Sequence, residues 1–175
     1  SNSNKIIDNS ISSYQWAGIW FQSDCSNNLI LCNNISFCRE GINFDATCDN
    51  NSIENNTIYG NSFGISHAPS CHYTLIKNNK VINNYCYGIW VGGSNNHVYF
   101  NVVDDNKEDG FRISGSNNKV HFNVVRNNKD VGIIVSGSNH NISYNMIENN
   151  GNGVYLENTR QTMITSNNFI DNDGY

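Results

Sequence analysis

The chain has 175 residues, 36 of them Asn, with 38% hydrophobic, 11% aromatic and only 14% charged residues. That is too much apolar surface and too little charge for a disordered chain, and the length suits one domain, residues 1–175, with a continuous core. A net charge of −5 without a Lys/Arg cluster excludes the basic footprint of a nucleic-acid binder, and apolar runs such as Trp16 to Phe21 fall far short of the roughly 18 residues of a membrane span.

Two sequence ladders run through the whole chain. A Gly followed by an apolar residue, any residue and usually a second apolar residue recurs at Gly18, Gly41, Gly64, Gly88, Gly110, Gly132 and Gly153. Asn followed two positions later by Ile or Val recurs at Asn9, Asn33, Asn56, Asn79, Asn101, Asn123, Asn145 and Asn168. The ladders stay in phase, so the unit is one coil of about 22 residues. Each coil carries three short apolar pieces, in the fifth Val98 to Phe100, Val102 to Val103 and Gly110 to Ile113, parted by Asn101 and the polar turn Asp104 to Asp109. Such pieces are too short for helices and suit strands with a period of two. They bury their faces only when coils stack, as in a solenoid. Asn suits the corners because it tolerates left-handed backbone angles and bonds its own turn, and stacking at about 4.8 Å lets successive amides bond along the axis.

Units such as Ser94-Asn95-Asn96-His97-Val98-Tyr99-Phe100-Asn101-Val102-Val103 through Gly110-Phe111-Arg112-Ile113, with the near-copy Ser116 to Val135, resemble the NosD-type, pectin-lyase-like superfamily of parallel β-helices. The resemblance implies an all-β, right-handed parallel β-helix of about eight coils without helical caps within the chain. It leaves activity open, since it covers polysaccharide lyases, hydrolases, epimerases, periplasmic copper-associated proteins and inert modules. The repeat begins at Ser1 and is cut at Tyr175 without a cap, which implies a segment of a longer solenoid or a unit that stacks end to end on itself.

In chain order, Trp16 and Trp20 come first, in the first Gly-bearing piece and the turn before it. Cys25, Cys48 and Cys71 follow at one-coil intervals and should stack, close enough for one disulfide among them. With His72 they are also a candidate thiolate metal site, suited to the copper association that the resemblance implies, against a buried thiol stack as the simpler reading. His67 aligns with Phe21, Phe44 and Val91 and should point inward as a hydrogen-bonded core residue. His97, His121 and His140 hold different coil positions and are expected on the surface without a common site. Phe100, Phe122 and Tyr144 align one per coil as an expected internal aromatic stack. Asp104, Asp105, Glu108, Asp109 and Asp130 offer oxygen ligands for Ca²⁺, or form a solvated acidic turn offset by Lys107 and Lys129.

The outward position of the third piece reads Trp20, Asn43, Ser66, Trp90, Arg112, Ile134 and Tyr155. It lacks the carboxylate pair of a glycoside hydrolase. Trp16, Trp20, Tyr87, Trp90, Arg112 and Tyr155 are instead candidate contacts to a sugar or a partner, unless the preceding turn folds over these rings. The expected function is a non-enzymatic structural, filament-forming or adhesive module, extracellular or at a cell surface, with weak affinity for polysaccharide and no cofactor. The alternatives are a polysaccharide-active enzyme or carbohydrate-binding domain, and a periplasmic copper-associated protein of the NosD type.

Overall fold

The computed structural model describes residues 2–174; Ser1 and Tyr175, the ends of the expected domain, lie outside the described residues. The chain winds through about eight coils, and each coil lays one strand on each of three parallel sheets. Among the described residues two sheets have eight strands and the third has seven, each inner strand pairing with its counterparts one coil before and after and each end strand with one of them. In the fifth coil the strands are His97–Tyr99, Val102–Asp104 and Phe111–Ile113. No helix occurs among the described residues.

The short strands follow from a period-two pattern with one inward residue. Ile76, Val98, Val120 and Ile142 are the centres of successive first-sheet strands, pair in register, and are fully buried. The residues on either side of each point outward. Burying one such Ile or Val contributes about 1.5–3 kcal/mol, and the column repeats that gain at every coil.

Each corner divides its work between two adjacent residues. Between the first and second strands, Asp8, Cys32, Asn55, Asn78, Phe100, Phe122, Tyr144 and Ser166 take left-handed backbone angles with φ of 55–58°. The residue after each turns inward and bonds along the axis. Asn101 shows the arrangement: its backbone N–H and its Nδ2 both donate to Asn123 Oδ1, at 2.9 and 3.0 Å, and Nδ2 also donates to the carbonyls of Ile76 and Tyr99. The same bond links Asn9, Asn33, Asn56, Asn79, Asn101, Asn123 and Asn145 in series. The last member is Asn167, whose Oδ1 accepts from Asn145, and not Asn168, which opens the strand Asn168–Ile170 and is exposed. The sequence rule slipped by one because the inward residue of that strand, paired with Ile147, is Phe169, not Ile or Val. Two further ladders escaped the rule altogether. One joins Asn4, Asn28 and Asn51 and, at the same corner of later coils, Thr74, Asn96, Asn118 and His140. The other runs from Cys38 through Asn61, Asn84, Asn106, Asn128 and Asn150 to Asn172.

This division corrects two expectations. His140 is buried, not on the surface: its Nδ1 accepts from the Asn118 N–H and its Nε2 bonds Ser136 O at 2.9 Å, so it replaces a ladder amide. Phe100, Phe122 and Tyr144 do stack, with centroids 5.4 and 5.2 Å apart, but outside the barrel. They occupy the left-handed corner position, which projects its side chain to solvent, and each is about half exposed.

The glycine ladder has a steric cause. A Cβ on Gly88 would lie 2.5 Å from Val103 Cγ1 and 2.9 Å from the Gly110 carbonyl oxygen, so only Gly lets neighbouring coils close at this corner.

His67 lies in the core column between Phe44 and Val91. It is fully buried, with Nδ1 on Gly92 O at 3.0 Å and Nε2 on Thr74 Oγ1 at 2.9 Å. The neutral ring that donates from Nδ1 and accepts at Nε2 satisfies both partners. Burial lowers its pKa from 6.5 to about 4.

Asn101→Ala strands the donors and carbonyls that it bonds and should cost about 2–4 kcal/mol in urea unfolding, while Asn167→Ala should cost more than Asn168→Ala, which stays within about 0.5 kcal/mol of the parent. Below pH 6.5 the unfolded chain protonates His67 and the folded chain does not, so stability should fall as pH drops from 6.5 to 4, by roughly 3 kcal/mol. Unfolding curves of His67→Leu should lack this component over the same range.

Candidate functional site

The chain's three tryptophans lie on the outward side of the third sheet or in the turn just before it. In register along the axis run Trp20, Asn43, Ser66, Trp90, Arg112, Ile134 and Tyr155. Trp20 and Trp90 are three strand spacings apart, roughly 14 Å, and Tyr155 lies as far again beyond Trp90. Trp20 is 47% exposed, Tyr155 53% and Trp16 64%.

At the N-terminal end of this face, Trp16, Trp20, Arg39, Glu40, Asn43 and Asp45 line a cavity of about 200 Å³. The Arg39 guanidinium lies 5.4 Å over the Trp16 ring, which holds that ring upright in the turn before the strand Ala17–Phe21. Glu40 opens the strand Glu40–Phe44 and Asp45 follows its end. Burial pushes the Glu40 carboxyl up, Arg39 opposes the shift, and Asp45 adds to it. Arg39, Glu40 and Asp45 were not among the expected site residues, because they lie at strand ends while the repeat points to strand centres.

Further along, Trp90, Arg112, Ser114, Ile134, Ser136 and Glu157 line an open depression of about 440 Å³. Arg112 is held from two directions. It pairs with Asp109 at 2.7 Å and with Glu108 at 3.5 Å, and its guanidinium lies 5.2 Å over the Tyr87 ring. Asp109, only 4% exposed at its side chain, also accepts the Val131 N–H at 3.1 Å, so the turn and the next coil are tied to one carboxylate.

Tyr87 does not belong to the exposed set with which it was grouped. It is 8% exposed, packed against Phe63 and Trp90, with its hydroxyl 3.0 Å from Ser66 Oγ. Burial pushes its phenol up. Tyr87 supports Trp90 and Arg112 from below; Trp16, Trp20, Trp90, Arg112 and Tyr155 remain the surface.

The Cys25, Cys48 and Cys71 column is stacked and buried, and its sulfurs are thiols with no disulfide among them. Cys25 donates to Ser23 O at 2.8 Å and Cys71 to Ala46 O at 2.6 Å. Burial pushes the Cys48 thiol up and the Cys71 thiol up to about 12. His72 Nδ1 accepts the Ser94 N–H at 2.9 Å, so that nitrogen is committed to the backbone. The acidic turn is likewise engaged: Asp104 pairs with Arg126, Asp105 with Lys107, and Asp109 with Arg112. No group of three or more His, Cys, Asp or Glu side chains placed to hold a metal occurs among the described residues. His97 and His121, in contrast, meet: their Nε2 atoms are 2.7 Å apart. The periodicity concealed this contact, since His97 is the first residue of one strand and His121 the third of the next.

Comparison with known proteins fits this architecture. Residues 64–175 match the family described as periplasmic copper-binding protein (NosD), and residues 1–103 match the right handed beta helix region family. No curated protein sequence matches. Among solved structures, the periplasmic alginate epimerase AlgG aligns with a TM-score of 0.73 at 17% identity, over 94% of this chain and 49% of that one. The surface protein and adhesin PfbA of Streptococcus pneumoniae aligns with a TM-score of 0.65 at 12% identity, over 99% of this chain and 66% of that one. The Agl-KA catalytic domain aligns with a TM-score of 0.64 at 18% identity, over 93% and 38%. At these identities the likeness is one of fold, and the chain spans about half the length of AlgG. No helix among the described residues is long and apolar enough to cross a membrane. Matched over more than half its length by each of the two family models, the chain belongs to the right-handed β-helix family of the NosD type.

Proposed function

We propose that this β-helix is a non-catalytic, extracytoplasmic module that binds a glycan along the outward side of its third sheet, in an adhesive role. The observation that carries the reading is the row of outward aromatic rings, Trp16 and Trp20 exposed at one cavity and Trp90 half-buried at the next depression, each beside charged groups that can bond hydroxyls. Aromatic faces pack on the apolar faces of sugar rings, and polar neighbours fix the orientation. The structural likeness to an alginate epimerase and to a surface adhesin supports a polysaccharide or surface setting.

Residue placement favours binding over cleavage. Hydrolysis of a glycosidic bond needs two carboxyl groups about 5–9.5 Å apart. The outward column of the third sheet, Trp20 to Tyr155, supplies none, and Glu40 and Asp45 stand only at the ends of the strand that carries Asn43. The one cation of the outward column, Arg112, is already engaged by Asp109 and Glu108.

The family description names copper, but the Cys25, Cys48, Cys71 and His72 column does not suit it. The Cys25 and Cys71 thiols bond carbonyls, burial disfavours the thiolate of Cys48 and Cys71, and one His72 nitrogen is used by the backbone.

Charge sets the expected preference of the glycan face. Two guanidinium groups, Arg39 and Arg112, face five carboxyl groups: Glu40, Asp45, Glu108, Asp109 and Glu157. Uncharged or amino-sugar polymers should therefore bind in preference to polyuronates, most clearly at low salt. In affinity electrophoresis and titration calorimetry against such a panel, Trp20→Ala and Trp90→Ala should each weaken binding by about 0.5–1.5 kcal/mol. Absence of binding to every polymer in the panel would refute the reading.

A further inference from the structure

The geometry points to His97 and His121 as a two-imidazole clasp for a divalent transition-metal ion on the outer side of the first sheet. The two residues lie on adjacent parallel strands, His97–Tyr99 and Lys119–His121, and meet on a diagonal. Their Nε2 atoms are 2.7 Å apart and their ring centroids 4.6 Å apart, with the planes at 62°. Both residues are half-buried.

Two neutral imidazoles can make this contact only if one ring donates from Nε2 and the other accepts there. An ion takes the place of that single proton. The donor ring shifts its proton to Nδ1, both Nε2 lone pairs then face the ion, and the pair gains or loses no proton overall. The required opening is small. With metal–nitrogen bonds of about 2.0–2.1 Å, two ligands at right angles are roughly 2.9 Å apart, whereas two ligands of a tetrahedral ion are roughly 3.3 Å apart. The pair therefore suits the tetragonal preference of Cu²⁺ and Ni²⁺ better than that of Zn²⁺. Water completes the coordination.

The surroundings hold the rings in place. Tyr99 packs against His97 at 4.7 Å and against His121 at 5.4 Å, and Phe122 lies 5.1 Å from His121. Those contacts restrict rotation about the side-chain bonds and lower the entropy lost on binding. Burial, and next the Lys119 ammonium for His97 and the His97 ring for His121, push both imidazoles down toward the neutral form that ligates metal. Lys119, paired in register with His97, also repels the incoming cation and so limits affinity.

Titration of the full chain with Ni²⁺ at pH 7.5, in two buffers of different ionisation enthalpy, tests the assignment. The expected result is one ion per chain, with a buffer-independent enthalpy because no proton is released, and weaker binding of Zn²⁺. His97→Asn and His121→Asn should each weaken Ni²⁺ binding at least about tenfold, and Lys119→Gln should strengthen it. In the wild-type chain, Ni²⁺ should broaden the imidazole resonances of His97 and His121 first, a readout that needs no variant. Unchanged affinity in both His variants would overturn the assignment, as would proton-releasing binding abolished by thiol alkylation, which would place the ion on the cysteines.

Discussion

The side-chain amide bond from each coil to the next is the interaction on which the rest of the molecule depends. Strands of three residues give too few backbone bonds to hold a register by themselves, and each coil turns three corners whose backbone groups would otherwise be buried without partners. Asn101 resolves this in one residue: it satisfies the carbonyls of Ile76 and Tyr99 and passes a bond to Asn123. Three such ladders, one per corner, lock neighbouring coils so that Ile lies on Val and Gly on Gly. Because most rungs join one coil to the next, stability is shared between neighbours, and damage to one rung is felt by the coils on either side.

With the interior committed to register, chemistry is left to the outward faces, and these differ between sheets. The third sheet carries Trp20, Trp90 and Tyr155 with charged groups at the strand ends, a surface suited to a sugar chain. The first sheet carries His97 and His121, whose diagonal contact is made possible by parallel strands offset by one coil. The thiols follow the opposite logic. Cys25, Cys48 and Cys71 are inside, Cys25 and Cys71 bonded to carbonyls, and they add packing to the turn.

Much of the fold was legible because the repeat is written in residues with one steric role. Gly88 and its equivalents mark places where a Cβ would strike the neighbouring coil, and Asn33 to Asn145 mark amides that bond along the axis. What escaped was whatever departs from the strict period. Asn167 was missed for Asn168 because Phe169 replaced the expected Ile or Val. His140 looked like a surface residue although it stands in for an amide. Phe100, Phe122 and Tyr144 looked internal because apolar rings usually are, whereas the left-handed corner turns them outward. Tyr87 looked exposed because its turn is long, whereas the turn folds it beneath Arg112.

By itself the sequence determined the coil length, the parallel stacking and the direction of most side chains, since a period of about 22 residues with Gly and Asn in phase admits one way of burying the apolar pieces. Tertiary structure decided what lies beside what on the surface. Glu40 and Asp45 come to one cavity with Trp16 and Trp20, and His97 reaches His121, through contacts between neighbouring coils at different positions in the repeat. A one-dimensional period fixes which residues share a column, but distances between columns depend on the twist, corner angles and rotamers of the folded coil.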